Sequence, residues 1–325
     1  MKGLELSEAY YNFYGKAMIH EKFPDYENRI AVGLVGQGSE CLGFDDDLST
    51  DHDFGPSFCM WLNEEDYSVI GNMLAYEYEQ LPKDFAGVQG RVESTHGGGR
   101  VGVHEIKNFY YSIIGREGAP VANIDWLWIP ESRLAVVTNG QVFRDDLREF
   151  STIRNQLLEY YPEDVRIKKI VARAATMAQA GQYNYARCMR RGETVAAYMA
   201  LSEFTKSTIS MVYLLNKRYT PFYKWMHHGM KRLPILHEVG DLLQTLCEQD
   251  NQKEVWESVE NAVPFSLNLF DKNVEIIEII CRLITEELNK QDLSDCHDPF
   301  LENHTMGMMQ KIKDRQIKSL QIMEG

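Results

Sequence analysis

The pattern of apolar and polar positions changes in character near residue 150. Before that point, short runs rich in β-branched and aromatic residues alternate with helical patterns, and three of these runs predict strands: "RIAVGLVG" from Arg29, "DHDFGPSFCMWL" from Asp51 and "GRVGVHEI" from Gly99. The segment "NEEDYSVIGNMLAYEYEQL" predicts a helix, because Asn63 is a suitable N-cap and acidic residues occupy its first turn. The first half therefore combines strands and helices.

In the second half, apolar residues recur at three- and four-residue spacing, which predicts long amphipathic helices. Pro162 suits a helix start, and Pro221 and Pro234 bracket a shorter helix around "FYKWMHHGMKRL". The methionine-rich tail "HTMGMMQKIKDRQIKSLQIM" predicts a packing helix. The longer helical segments are "PEDVRIKKIVARAATMAQAGQYNYARCMRRG", "ETVAAYMALSEFTKSTISMVYLLNKRY" and "NVEIIEIICRLITEELNK".

Length and composition agree with this division. A chain of 325 residues is long enough for two hydrophobic cores, and 44% apolar with 25% charged residues is typical of a globular protein. We therefore expect an α+β protein with two domains: a mixed β-sheet with flanking helices in residues 1–150, and an all-α helical bundle in residues 151–325.

Charge and hydropathy exclude several function classes. A net charge of −14 argues against an extended nucleic acid as partner, because such binding depends on Lys and Arg that neutralise phosphates. The first residues lack a signal-peptide core, and the most apolar stretch, from Val274, contains charged residues, so we expect a cytoplasmic protein without a membrane span. The six cysteines lack paired spacing, which predicts free thiols.

The segment "GQGSECLGFDDDLSTDHDFG", residues 36–55, concentrates acidic residues directly after glycines. Three known motifs fail here. A Walker A loop would need a lysine after Gly43, and a dinucleotide fingerprint would need a glycine in place of Cys41. A calcium loop of the EF-hand type starting at Asp45 or Asp47 would lack its central glycine and terminal glutamate.

What remains is a turn, Gly36 to Ser39, followed by Asp51-His52-Asp53 at the start of a predicted strand. Because side chains alternate along a strand, Asp51 and Asp53 would face the same way, about 6.6 Å apart, with His52 packed on the opposite face. Two such carboxylates can share a pair of divalent ions about 3.5 to 4 Å apart. Mg²⁺ would then join the acidic strand to phosphates held by the turn, whereas Asp45, Asp46 and Asp47 would form a solvated loop.

This arrangement resembles the nucleotidyltransferase superfamily typified by DNA polymerase beta and the aminoglycoside nucleotidyltransferases. The family pattern is a Gly-Ser turn followed by an Asp-x-Asp strand, which Gly38-Ser39 and Asp51-x-Asp53 match. More narrowly, the chain looks like a bacterial family of nucleotidyltransferase-like proteins with a helical C-terminal half. That resemblance covers roughly the first 235 residues and rests on "GSECLGFDDDLSTDHDFGP", "DWLWIPESRLAVVTNGQVFRDD", "YYPEDV" and "NKRYTPFYKW".

The resemblance implies a nucleotidyltransferase-type sheet and a set of roles. Gly38 and Ser39 would contact the β- and γ-phosphates, and Asp51 and Asp53 would hold Mg²⁺ or Mn²⁺. A third carboxylate from a neighbouring strand would complete the site and take the acceptor's proton. Glu105 in "VHEI" and Asp125 in "NIDWLWIP" are the two candidates. The alternative for Glu105 is a structural one, in which it caps a helix or pairs with Arg100.

Two further segments have both a binding and a structural interpretation. Lys217 and Lys224 alternate with aromatic residues in "NKRYTPFYKW", so they could bind a triphosphate and stack a base, or they could form the rim of a helical core. The "HGGGR" segment, residues 96–100, could contact phosphate or form a simple turn before a strand.

The sequence as a whole predicts a metal-dependent nucleotidyltransferase. It would take a nucleoside triphosphate, ATP being the expected one, transfer the nucleoside monophosphate to an unknown small-molecule or macromolecular acceptor, and release pyrophosphate. The rival is a protein with the same fold that binds a nucleotide or a partner without turnover.

Overall fold

The computed structural model describes residues 1–50, 53–92, 98–250, 254–257 and 267–325. Its sheet has the strand order β3-β2-β1-β4. Strand β1 is antiparallel to both neighbours, β2 and β4, whereas β2 and β3 are parallel. The strands are β1 (Ala31–Leu34), β2 (Cys59–Leu62), β3 (Gly102–Glu105) and β4 (Gln141–Arg144). The sheet is therefore mixed, as predicted.

Two predicted strands, in "RIAVGLVG" and "GRVGVHEI", are confirmed, but β2 is shorter than predicted. It begins at Cys59, and Asp53 lies in a bend with φ 54°. The prediction that Asp53 lies in a strand is therefore wrong. Gly55, with φ 148°, and Pro56, which has no N–H group, interrupt the extended chain between Asp53 and β2.

The helices of the described residues alternate with these strands and then follow them. They are α1 (Gly3–Tyr10), α2 (Lys16–Lys22), α3 (Ser39–Leu42), α4 (Glu64–Glu79), α5 (Ile106–Ile114), α6 (Asn123–Trp128), α7 (Glu131–Thr138), α8 (Glu149–Leu158), α9 (Glu163–Met177), α10 (Ala186–Arg190), α11 (Thr194–Leu215), α12 (Tyr223–Met230), α13 (Val239–Glu248), α14 (Glu254–Glu257), α15 (Lys272–Lys290), α16 (Glu302–Lys311) and α17 (Arg315–Lys318). Residues Tyr11–Gly15 and Ala178–Tyr185 form π-helical turns, and Pro24–Arg29 and Asp47–Thr50 form 3₁₀ turns.

The predicted helix starts are confirmed by their caps. The side chain of Asn63 accepts a hydrogen bond from the backbone N–H of Asp66 at 2.9 Å, which satisfies one of the free donors at the start of α4. Pro162 is the N-cap of α9, and α12 lies between Pro221 and Pro234 as expected. In the tail, α16 buries Met308 and Met309, which agrees with a packing helix.

The backbone contacts divide the chain into two compact units. The first contains residues 1–120 and 129–160, and the second contains residues 121–128 and 161–325. The sequence predicts a boundary near residue 150. The contacts place α8 with the sheet and α6 with the helical part of the chain. Together the sheet-containing unit and the helical unit confirm an α+β fold.

Both faces of the sheet in the first unit are covered by apolar side chains. On one face, Val32 and Met60 are fully buried with Phe58 and residues of α1 and α4. On the other face, the ring of Trp61 stacks on that of Phe150 with centroids 4.0 Å apart. Apolar burial of this kind is the main stabilising contribution to the fold.

The structure also describes the cysteines and the apolar character of the helices. All six cysteines are free thiols, as predicted. Among the residues that the structure describes, no helix has the length and apolar character needed to cross a membrane.

Candidate functional site

The sheet topology brings the glycine turn and Asp53 to the same end of the sheet. Gly33 of β1 pairs with Cys59 of β2 in antiparallel register, so the residues that follow β1 lie beside the residues that precede β2. Cys59 also pairs with Gly102, which places the start of the parallel strand β3 at this end. The turn of residues 36–39, the bend at Asp53 and the segment before β3 therefore converge.

The turn is fixed by glycine conformations and by one asparagine. Gly36 and Gly38 have φ values of 143° and 135°, which residues with side chains rarely adopt. The side chain of Asn139 accepts a hydrogen bond from the N–H of Gly36 at 3.0 Å and donates one to its carbonyl at 2.7 Å. The N–H of Gly140 donates to the carbonyl of Cys41 at 2.7 Å. The two residues before β4 therefore bind the chain both at the start of the turn and just after it.

Asp53 is the described member of the predicted aspartate pair, and it is buried. Its backbone N–H donates to the carbonyl of Val92 at 3.1 Å, and its carboxylate pairs with a guanidinium nitrogen of Arg100 at 3.3 Å. Gly55 lets this segment approach closely, since a Cβ there would lie 2.7 Å from the backbone nitrogen of Arg91. Asp51 and His52 lie outside the described residues.

A second buried ion pair lies beneath the turn. Nη1 of Arg91 lies 3.5 Å from Oε1 of Glu40 and 3.5 Å from Oγ of Ser57. The side chains of Arg91 and Glu40 are both more than nine-tenths buried. Burial raises the pKa of the Glu40 carboxyl, which its own backbone N–H and the charge of Arg91 lower in part.

The acids of residues 45–47 do not all form a solvated loop, which corrects that interpretation for Asp45. Asp45 is buried, and one of its carboxylate oxygens accepts a hydrogen bond from the N–H of Gly3 at 2.9 Å. Asp46 is exposed and accepts from Ser49 Oγ at 2.9 Å and from the N–H of Leu48 at 3.1 Å. The hydrogen bond from Ser49 lowers the pKa of Asp46. These contacts shape the turn before Asp53.

Glu105 lies at the end of β3, but its side chain has the structural role. One carboxylate oxygen accepts a hydrogen bond from the N–H of Lys107 at 2.9 Å, and the other from the N–H of Asn108 at 2.8 Å, so Glu105 caps α5. Gly102 and Glu105 are three residues apart along the strand, roughly 10 Å. The two capping contacts favour the structural interpretation of Glu105, and its role as a third carboxylate stays a prediction.

The cap of Glu105 opens on a cavity of about 640 Å³ in the first unit. Its lining includes Asn63, Glu105 and Glu149, which mark the first residues of three helices. The amide of Asn63 donates to Glu149 at 3.1 Å, and Lys107 pairs with Glu64 at 3.1 Å. Three of the acidic side chains that line this cavity, Glu64, Glu105 and Glu149, thus have partners within the protein.

The other predicted site residues belong to the second unit. Asp125 lies in the first turn of α6, so the prediction that a strand presents it is wrong. Lys217, with φ 51°, is exposed after the end of α11. Lys224 is exposed in the first turn of α12, with Nζ 5.1 Å from the centroid of the Trp225 ring. That contact is common to a nucleotide-binding residue and to a residue at the rim of a helical core.

The described residues do not by themselves form a metal centre. Within residues 1–50, 53–92, 98–250, 254–257 and 267–325, no three His, Cys, Asp or Glu side chains are grouped closely enough to hold a metal ion. The carboxylate of Asp53 pairs with the guanidinium of Arg100. A metal site at this end of the sheet would require Asp51 and the separation of Asp53 from Arg100.

Three residues that shape the site were not predicted from the sequence: Glu40, Arg91 and Asn139. Arg91 precedes the "HGGGR" segment, and no local pattern indicates that it returns to the glycine turn. In the sequence, nothing distinguishes Glu40 from an ordinary exposed residue of a helix. The sequence does contain a signal for a turn at Asn139, because Asn-Gly before a β-rich run is typical of a tight turn into a strand.

Comparisons with known proteins found similarity to a family model and to a solved structure. Residues 126–226 match a family model described as "Domain of unknown function (DUF4037)". Three of the four segments on which the resemblance rests lie almost entirely in that range, whereas residues 36–55 lie outside it. No curated protein matches the chain. A solved structure, the nucleotidyltransferase-like protein from Exiguobacterium sibiricum 255-15, is 11% identical over 91% of this chain and 90% of its own, with a TM-score of 0.35.

Proposed function

We propose that the protein is a metal-dependent nucleotidyltransferase that transfers a nucleoside monophosphate from a nucleoside triphosphate to an acceptor and releases pyrophosphate. The observation that carries this proposal is the convergence of the glycine turn and Asp53 at one end of the sheet, fixed by the pairing of Gly33 with Cys59. The Gly-Ser and Asp-x-Asp pattern supports it independently. Because catalysis of this kind consists mainly of positioning and charge neutralisation, a rigid turn beside an acidic segment suits it.

Each residue has a role in this proposal. The backbone at Gly38 and Ser39 contacts the β- and γ-phosphates, and Asp51 and Asp53 would hold Mg²⁺ or Mn²⁺. When bound, the ions would neutralise the charge of the phosphates. The resemblance offers Glu105 and Asp125 as the third carboxylate; both oxygens of Glu105 are occupied by the cap of α5, and Asp125 belongs to the other compact unit. The sequence pattern assigns Lys217 and Lys224, which belong to the other compact unit, to the triphosphate as cations, and ATP is the expected substrate.

A second candidate function is nucleotide or partner binding without turnover. The observation that favours it is the pairing of the Asp53 carboxylate with Arg100, because a carboxylate neutralised by a guanidinium is a weaker metal ligand. Both candidates share the phosphate-binding turn. They differ in whether Asp53 leaves Arg100 for a metal ion.

The experiment that separates them measures binding and turnover on the same preparation. Each nucleoside triphosphate is added with Mg²⁺ or Mn²⁺, and the melting temperature is recorded, since a ligand that binds only the folded state stabilises it. Pyrophosphate release is then measured while candidate acceptors are scanned. Stabilisation with release supports the transferase, and stabilisation without release for any acceptor supports the binding protein. An unchanged melting temperature at millimolar nucleotide contradicts the transferase and the binding of nucleotide, and leaves only the binding of a partner.

A further inference from the structure

The guanidinium of Arg91 is buried with few partners. Its side chain is only 7% exposed. Nη1 makes two contacts, with Glu40 and Ser57, both at 3.5 Å, the outer limit of a hydrogen bond. Among the described residues, Nε and Nη2 of Arg91 have no hydrogen-bond partner. Buried donors without acceptors cost free energy, so this arrangement leaves capacity for a further acceptor.

Another arginine in the same unit shows the geometry of a fully satisfied pair. Nε and Nη2 of Arg29 each donate to a carboxylate oxygen of Asp66 at 2.7 Å. This is the parallel two-bond arrangement that guanidinium groups favour with carboxylates and phosphates. Arg91 instead contacts Glu40 through a single nitrogen, Nη1, which lies 3.5 Å from Oε1. Glu40 is therefore a poor fit for Arg91, although both are buried together.

Glu40 fills the turn itself. A Cβ on Gly38 would lie 2.4 to 2.6 Å from the carboxyl atoms of Glu40, so the carboxylate packs directly against the turn. The same carboxylate is bonded by the backbone N–H of Glu40, a donor at the start of α3. Arg100, whose Nε has no partner among the described residues, also acts on Glu40 electrostatically. A carboxyl group of the protein therefore already packs against the glycine turn.

We propose that Glu40 is an internal substitute for a phosphoryl group, and that a bound phosphate or diphosphate displaces it and takes over Arg91. A tetrahedral phosphoryl group has more acceptor oxygens than a carboxylate, so it satisfies Nε and Nη2 of Arg91 as well as Nη1. The inference deepens the proposed function, on which it rests for the presence of phosphate at this turn. It assigns Arg91 as a phosphate-binding residue and Glu40 as its competitor.

The test uses metal-free protein, so that it is independent of the acidic metal site. Inorganic pyrophosphate, inorganic phosphate, ATP and AMP are titrated calorimetrically in the presence of EDTA. The variants are Glu40→Gln and Arg91→Met. The control is Arg144→Met, which removes a partly buried arginine paired with Glu27 and Asp146 in the same unit.

Glu40→Gln removes the competing charge with little change in shape, so pyrophosphate is expected to bind about tenfold more tightly than to the wild type. Arg91→Met is expected to bind it about tenfold more weakly or worse, and Arg144→Met to bind as the wild type does. A gain for ATP but not for AMP identifies the site with the terminal phosphates of a nucleotide. A gain for pyrophosphate alone identifies it with the free anion.

The inference is overturned if Glu40→Gln binds pyrophosphate no more tightly than the wild type. It is also overturned if Arg91→Met binds it as well as Arg144→Met does. If Arg91→Met does not fold, Glu40→Gln still decides the matter, since it keeps the packing of the turn. Pyrophosphate binding that depends on Arg91, without turnover of any triphosphate, would refute only the transferase. Turnover with unchanged pyrophosphate binding in both variants would refute only this inference.

Discussion

Two ion pairs at the glycine turn have contacts that are long for largely buried charges. Arg91 lies 3.5 Å from Glu40, and Asp53 lies 3.3 Å from Arg100. Elsewhere in the same unit, Arg29 and Arg144 reach carboxylates at 2.7 Å. Buried charges are stable only when they are well paired, so loose pairs at one place in a well-packed unit are typical of a binding site. The chemistry of this protein is therefore expected at the turn.

Lys168 is a buried cation in the second unit whose titration should affect stability. It is fully buried, and Nζ donates to the carbonyls of Gln321 and Ile322. Burial lowers the pKa of Lys168 to about 8. Because a lysine in the unfolded chain keeps a pKa near its usual value, about 10.4, the unfolded state binds more protons between these two values, and stability rises with pH there.

We therefore expect the free energy of unfolding to increase between pH 8 and pH 10, by at most about 3 kcal/mol. Chemical denaturation at several pH values measures this, with Lys168→Met as the control, since methionine has a similar shape and does not titrate. The wild type should gain stability relative to Lys168→Met as pH rises. A constant difference between the two proteins would contradict the prediction.

Variants of Glu105 show whether this residue acts as a helix cap or as a metal ligand. Glu105→Ala removes both hydrogen bonds to the start of α5 and is expected to cost about 1 kcal/mol of stability. Glu105→Asn, which keeps a capping oxygen, should lose less. If transfer activity is found, the specific activity of the folded fraction should be unchanged in both variants. Full loss of activity in a stable Glu105→Asn protein would restore Glu105 to the catalytic site.

At the scale of elements, strand register does most to build the site. The pairing of β1 with β2 brings together residues 36–39 and Asp53, which are separated in sequence by a short helix and a 3₁₀ turn. Periodicity predicted β1, β3, α4 and the long helices, because those segments have strong local patterns. It missed β4, whose four residues are partly exposed at the sheet edge, and it extended β2 too far across Gly55 and Pro56.

Gly33 lies where β1 approaches β4 closely, so a substitution at Gly33 tests the pairing of these strands. A Cβ at this position would lie 2.4 Å from the carbonyl oxygen of Gln141 and 2.9 Å from Cα of Val142, both backbone atoms that cannot move aside. Gly33→Ala is therefore expected to destabilise the protein by about 1 to 3 kcal/mol. The matched control is Gly307→Ala in α16, where nothing lies within 4 Å of the added Cβ, and which should be neutral or stabilising. Equal melting temperatures for the two variants would contradict the described register.

At the scale of the whole molecule, the sequence predicts the fold class better than the site. The change from alternating strands to helical spacing is visible locally, whereas the assignment of α6 to the second compact unit is not. The partners of Asp53, Glu40 and Gly36 are not visible, because Arg100, Arg91 and Asn139 reach them across long stretches of chain. The capping role of Glu105 likewise depends on contacts that only the structure shows.

The most direct test of the central claim is to compare Asp51→Asn, Asp53→Asn and the double variant in turnover and in melting curves with and without Mg²⁺ and nucleotide. Asparagine keeps the shape of aspartate but removes the charge that metal ions need. The exposed Asp146→Asn serves as the control. Asp53→Asn is expected to lose some metal-free stability, since it leaves Arg100 without its charged partner.

The account predicts that each single variant loses turnover and the stabilisation by Mg²⁺ with nucleotide, and that the double variant is little worse, because residues that act as one unit are not additive. Asp146→Asn should behave as the wild type in both measurements. Folded Asp51→Asn and Asp53→Asn proteins that keep most of their specific activity and their Mg²⁺-dependent stabilisation would contradict the account.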